Sequence, residues 1–349
     1  MSRREWVMCL VLGVLTGCAT QRRGPFHAEV EVDPSTGWHV ITLSYHASEP
    51  MRSLTAKVCP EGGSNLFSLK VGPFELLRQP DSLRQLQGRG YGIVVLYPTP
   101  NRVRNARFTF EGREYSMPKN WREHHLHGLV LDKAWRFAKP VVTNTSASVK
   151  TWIDFEPQSE VYRYFPWRSR LSLAFTLTER GLRVAYEVAN QDEKPLPYGF
   201  GIHPYFWLLG DRTQTFIQVP ARAHMEAVEL LPTGRLEPLD GSLYDLRKPR
   251  PLSELNLDDV FWGMSPEQPM SWEARDKGVR VTLRASREFT HAVVFTPPDR
   301  NFFCLENQTC STDAHNLFAQ GLRDESHLQI VPPGASSSGW VELIPEIIP

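Results

Sequence analysis

Between Leu171 and Val188 the chain alternates. Leu171, Leu173, Phe175 and Leu177 are apolar with small or polar residues between them, Glu179-Arg180-Gly181 interrupts, and Leu182, Val184, Tyr186 and Val188 resume the period of two. Successive side chains of a strand point to opposite faces, so this pattern predicts a hairpin with one face buried. Shorter runs of the same kind recur at 39–45, 93–97, 107–110, 150–155, 215–219, 279–285, 291–296, 302–305 and 340–344, most of them bounded by Pro, Gly, Asn or Asp. No long stretch repeats with a helical period. Many short strands with frequent turns predict an all-β fold, a large antiparallel β-sandwich. Residues 26–349 show no linker and no internal repeat, so one domain is expected there.

The first residues follow another pattern. Arg3 and Arg4 precede an apolar stretch, Trp6 to Leu15, that is too short to span a bilayer. It ends in Leu15-Thr16-Gly17-Cys18, which resembles the lipobox of bacterial lipoproteins. The resemblance implies a signal peptide over 1–17, a lipidated Cys18 and a short polar tether through residue 25. Lipidation holds a protein at a membrane without a spanning helix. Ala19 after the cysteine fits sorting to the outer membrane, so the expected location is the cell envelope, on the periplasmic face of that membrane. Beyond the signal, Cys59, Cys304 and Cys310 remain. Three thiols without a CxxC pair spell neither a disulfide framework nor a zinc site.

Composition narrows the function. The 349 residues carry 39 Lys+Arg against 39 Asp+Glu, a formal net charge of zero. A chain without cationic surplus has little with which to neutralise a phosphate backbone, so nucleic acid is not an expected partner. At 41% hydrophobic residues there is enough apolar material for a full core.

Four segments set chemically capable side chains among aromatic ones: Tyr97 to Arg102, His124 to Gly128 with Trp135 downstream, Gly199 to Trp207 around His203, and Phe302 to Gln308 around Glu306. Near His203 the glycines are expected to let backbone approach a ligand, and Pro204 to stiffen the position. Glu306 ends the apolar run Phe302-Phe303-Cys304-Leu305, where a carboxylate is costly unless paired or used. At neutral pH an ordinary carboxyl is ionised and an ordinary imidazole lies near its midpoint. Facing one cavity, the two would make a general base and a general acid. Taken singly each is ordinary: a histidine in an aromatic run or a glutamate at a strand end is commonly structural. The histidine cluster lacks a carboxylate or thiol at ligand spacing, so no metal is expected.

Together the segments resemble the aldose 1-epimerases, or galactose mutarotases. LYPTPNRVRNARFTFEGREY, HHLHG, GFGIHPYFWL, LDDVF and FCLENQT stand in that family's order, and the likeness runs over roughly residues 30–347. It implies the galactose mutarotase-like sandwich and the interconversion of α and β anomers of a free hexose, such as galactose or glucose, by ring opening and closure without a cofactor. It implies Glu306 as base, His203 as acid, and His127, Arg102 and Asp258 as binders of sugar hydroxyls, with Asp259 as the alternative register. Asn101 is expected to brace the turn presenting Arg102. The chain departs from the family where His124 and His125 replace the usual Asn, where Tyr97-Pro98 replaces a Phe-Pro-Trp run and alters one expected wall of the sugar site, and where Leu129 replaces a glycine. Two alternatives remain: a non-catalytic carbohydrate-binding protein on the same fold, and a sugar-phosphate epimerase, for which Arg222, Arg235 and Arg247 are available cations. A glycoside-cleaving enzyme using Glu306 and Asp258 would instead require a fixed distance between the two carboxyls.

Overall fold

A computed structural model describes residues 24–348. The expected signal peptide, with Cys9, and the expected lipidation site Cys18 lie outside these residues. Two large antiparallel sheets, of 12 and 10 strands, form the sandwich. The expected hairpin is present as Ser169–Leu177 paired with Leu182–Asn190, its apolar positions buried and its alternate positions more open. It belongs to the 10-stranded sheet, beside the long strand Ser336–Ile347.

Leu43 and Leu69 of the first sheet and Leu173 and Val341 of the second belong to one continuous core. The Phe206 and Trp272 rings, one from each sheet, meet at 5.4 Å between centroids. Apolar burial at about 25 cal/mol per Å² drives this association. Three described cysteines, Cys59, Cys304 and Cys310, are free and buried.

The strands Ile93–Leu96, Gly201–Trp207, Phe302–Gln308, His291–Phe295 and Asp258–Trp262 lie side by side in the middle of the 12-stranded sheet. Gly201–Trp207 is buried on both faces. Ile202 and Phe206 point into the main core, whereas Tyr205 packs with Val94, Leu96, Phe302 and Cys304 in a second, smaller cluster on the opposite face. That second face carries the site.

Candidate active site

The ladder between Gly201–Trp207 and Phe302–Gln308 pairs Gly201 with Gln308, Ile202 with Asn307 and Tyr205 with Cys304. Counting along it puts His203 directly opposite Glu306, and cross-strand neighbours on one face touch. His203 Nε2 lies 3.2 Å from Glu306 Oε1. Pro204 has no N–H to give to the ladder, yet it occupies a central strand here. Gly199 and Gly201 serve packing and not ligand approach, contrary to the expectation above. A Cβ on Gly199 would sit 2.2 Å from Cys310 Sγ, and one on Gly201 would press the Gln308 side chain at 3.0 Å.

Both members of the pair are buried, and burial acts on them in opposite senses. It raises the Glu306 carboxyl well above the usual carboxylate range, against an opposing hydrogen bond from Gln308 Nε2 to Oε2 at 2.8 Å. It lowers the His203 imidazole to about 3. Burial disfavours charge on either group, so both directions favour a neutral pair across the 3.2 Å contact, with the carboxyl protonated and the imidazole neutral. Tyr205 lies parallel to the His203 ring at 4.4 Å, with its hydroxyl 3.3 Å from Nε2.

The remaining predicted residues converge on the same place. The strand pair Arg102–Val103 and His125–Leu126 sets Arg102 opposite Leu126. Asn101 and His127 flank this ladder, both with left-handed backbone, φ 57° and 67°, and His127 N–H donates to the Asn101 carbonyl at 2.8 Å. Non-glycine residues in that region cost about 1–2 kcal/mol each, least for Asn, and such strain gathers at functional sites. The His127 ring meets the His203 ring edge to face at 5.1 Å. Arg102 donates from Nη1 to Asn101 Oδ1 at 2.8 Å and from Nη2 to Asp258 Oδ2 at 3.2 Å. Its guanidinium also covers the Trp121 ring at 4.6 Å. Arg102 Nε, His127 Nδ1 and His203 Nδ1 are all buried without a hydrogen-bond partner among the described residues. An unpaired buried polar group costs about 1–3 kcal/mol, and three of them meet here.

The register of Asp258 and Asp259 is decided by the pleat. Asp258 lies on the site face and pairs with Arg102; Asp259 points through the sheet to the other side, where its Oδ1 meets His224 Nε2 at 2.9 Å. Burial raises the Asp258 carboxyl, Arg102 opposing it.

Several expectations are corrected. Tyr97 is wholly buried among Phe155, Phe165 and Tyr198, so it belongs to the core and walls no sugar site. His125 contacts the Pro118 carbonyl at 2.8 Å, and His124 Nδ1 accepts the Asn105 N–H at 2.9 Å; both brace loops. The three arginines available for a phosphate lie elsewhere, two of them in ion pairs. Arg235 pairs with Glu226 and Glu237, Arg247 with Asp240 and Asp245, and Arg222 and Arg247 line a groove of about 770 Å³ that shares no residue with this site. Sequence reasoning missed Gln308, Tyr205 and Trp121. The signal for Gln308 was available: two residues after Glu306 on a strand, it shares the same face.

With this geometry in hand, the chain can be set beside known proteins. Residues 51–343 match the aldose 1-epimerase family model. The uncharacterized protein YphB of Escherichia coli K12 is 31% identical over 258 residues, 71% of this chain and 81% of that protein. The galactose mutarotase of Mus musculus is 29% identical over 171 residues, 47% of each chain. A galactose mutarotase-like protein from Clostridium acetobutylicum superposes with a TM-score of 0.81 at 21% identity, over 93% of this chain and 99% of that one, a likeness of fold. Family match, fold and the order of the site segments agree: this chain belongs to the aldose 1-epimerase family.

Proposed function

We propose that the protein is an aldose 1-epimerase that interconverts the α and β anomers of a free hexose, with Glu306 as base and His203 as acid. The observation that carries this reading is the cross-strand contact at 3.2 Å between two buried titratable groups on one sheet face.

Ring opening requires the anomeric hydroxyl to lose a proton while the ring oxygen gains one, and both oxygens are bonded to one carbon. A base and an acid side by side on one sheet face match that demand. For the reaction the shared proton shifts from Glu306 to His203, the ionised arrangement that burial alone disfavours. The carboxylate takes the O1 proton, and the imidazolium gives its proton to the ring oxygen. The C1–O5 bond breaks and the aldehyde forms. Rotation about C1–C2 presents the other face of the carbonyl, and the reverse transfers close the ring as the other anomer. Each positioned group contributes about 100- to 10,000-fold. His127, Arg102 and Asp258 hold sugar hydroxyls, with Asn101 bracing Arg102. No atom is consumed, and the pair returns to its starting proton count. A pure sugar-binding protein would have no use for such a buried pair.

Residues 26–349 form the working domain in this reading. Cys18 carries lipid and ties the domain to the bacterial envelope, on the periplasmic side of the outer membrane; the Leu15-Thr16-Gly17-Cys18 sequence supports this. The test is polarimetry on freshly dissolved α-D-galactose or α-D-glucose with a soluble form beginning at residue 19. Accelerated decay of optical rotation is expected. Binding of the sugar with no acceleration would favour the carbohydrate-binding alternative.

A further inference from the structure

Behind the sheet, on the face opposite the site, lies an ion cluster that the proposed reaction does not use. His224 is 3% exposed and contacts two carboxylates: Asp259 Oδ1 from Nε2 at 2.9 Å and Glu237 Oε2 from Nδ1 at 3.1 Å. Tyr244 stacks on its ring at 3.6 Å and 4°. Arg235 approaches the same Glu237 at 3.1 Å and also pairs with Glu226. Two carboxylates at the two ring nitrogens require both to be donors, which is the imidazolium. Burial opposes that charge, and the hydrogen bonds to Asp259 and Glu237 more than offset it, so the His224 pKa is raised.

Asp259 does not end the chain of contacts. Its second oxygen, Oδ2, accepts the backbone N–H of Asp258 at 3.1 Å. Asp258 in turn faces the other way and pairs with Arg102 at 3.2 Å. A strand residue and its successor point to opposite faces, so a clamp on one fixes the other. We infer that His224 is a positioning residue for sugar binding: as an imidazolium it locks Asp259, which holds the Asp258 backbone and thereby the Asp258–Arg102 pair. It touches no substrate and acts through Asp259. The inference rests on the proposed sugar site for its consequence, but its structural link stands apart from turnover.

The sign is fixed by the contacts. The clamp is complete below the His224 pKa and loosens as pH rises through it, because a neutral imidazole has one donor for two carboxylates. The groups facing His224 are Asp259, Glu237 and the Tyr244 ring, with Arg235 behind Glu237 and Glu226, which pairs with Arg235, close enough to feel the imidazolium charge. The experiment follows two readouts from pH 6 to 9: the Asp258 amide resonance by NMR, and KM against kcat for D-galactose. The amide is expected to titrate with the His224 ring, and KM to rise severalfold with the same midpoint while kcat moves less than about twofold. Glu237→Gln, at a partly exposed position, should move both midpoints to lower pH, and His224→Phe, which keeps the stack on Tyr244, should flatten both. An Asp258 amide indifferent to His224 titration would overturn the link. A moving amide with an unchanged KM would overturn its role in sugar binding. Should wild-type protein fail to accelerate mutarotation of any aldose, the proposed function falls instead, and the amide titration still decides the clamp.

Discussion

Replacing Glu306 by Gln isolates the chemistry from the fold. The amide has the same shape, and its carbonyl oxygen can still accept the Gln308 Nε2 hydrogen bond, 2.8 Å in the wild type. Packing is therefore kept, and stability should not fall. It should change with pH in a defined direction. Burial raises the Glu306 pKa, so the folded state prefers the protonated form and loses stability as pH climbs above the ordinary carboxyl value of about 4.3; Gln has no such loss. The variant should match the wild type in urea near pH 5 and equal or exceed it at pH 8. Activity should behave differently. Loss of a positioned base costs about 100- to 10,000-fold, or about 2.7–5.4 kcal/mol of barrier. His203 loses its partner as well: its pKa is already lowered by burial, and without the carboxylate it holds no proton to deliver. One substitution thus disables both roles, and the loss should fall at the upper end of that range. His203→Asn added to Glu306→Gln should cost less than about a further tenfold. The assay is the rate constant for decay of optical rotation of α-D-galactose, corrected for the spontaneous reaction. A Glu306→Gln protein within threefold of wild type would refute the base assignment, and fully multiplicative losses in the double variant would refute the shared proton.

Further tests address the rest of the site and the chain. Arg102→Lys cannot keep the hydrogen bonds to Asn101 and Asp258 together with the contact on Trp121, so KM should rise about tenfold with kcat within a few-fold; an unchanged KM would remove Arg102 from sugar binding. Gly128 has φ 72°, and an added Cβ would lie 2.2 Å from the Tyr97 carbonyl oxygen, so Gly128→Ala should lower urea stability by about 2 kcal/mol or more and raise KM through its neighbour His127. Burial lowers His291 to about 3, so the native state refuses a proton that the unfolded chain accepts below about pH 6.5. Relative to His291→Gln, the wild type should lose about 1.4 kcal/mol per pH unit between pH 6 and 4, and parallel stability curves would contradict this. Cys18→Ser should release the protein from the membrane fraction into the soluble periplasm, whereas persistent membrane association would count against lipidation.

How much of this could be read from the chain depends on which side of a strand faces water. The hairpin at 169–190 was plain because one face alternates toward solvent. The strand Gly201–Trp207 escaped: both its faces are packed, which erases the period of two, and Pro204 argues against a central strand. Asn65–Val71 was missed for the same reason, with six of its seven residues buried. Arg102–Val103 and His125–Leu126 pair over only two residues each, too short for any pattern, although they set Arg102 beside His127. Residue types in an aromatic setting brought His203 and Glu306 forward as candidates, and the family resemblance supplied Arg102, His127, Asp258 and Asn101. The choice between Asp258 and Asp259 needed the pleat, and the His224 clamp needed three strands in register, which no local spacing reveals.

The proposed catalytic couple is mounted on the mesh of main-chain bonds that makes the wall, and not on the rim. Just over a hundred positions separate the two along the chain, a stretch that includes the His224 and Asp258 strands, yet their spacing depends on one ladder only. Turns at the mouth can lengthen, shrink or exchange without altering how His203 and Glu306 meet, so under the proposed function sugar preference is free to drift while the proton chemistry stays fixed. A slip of a single residue in that ladder, by contrast, would turn one of the two groups into the oily interior and part the couple.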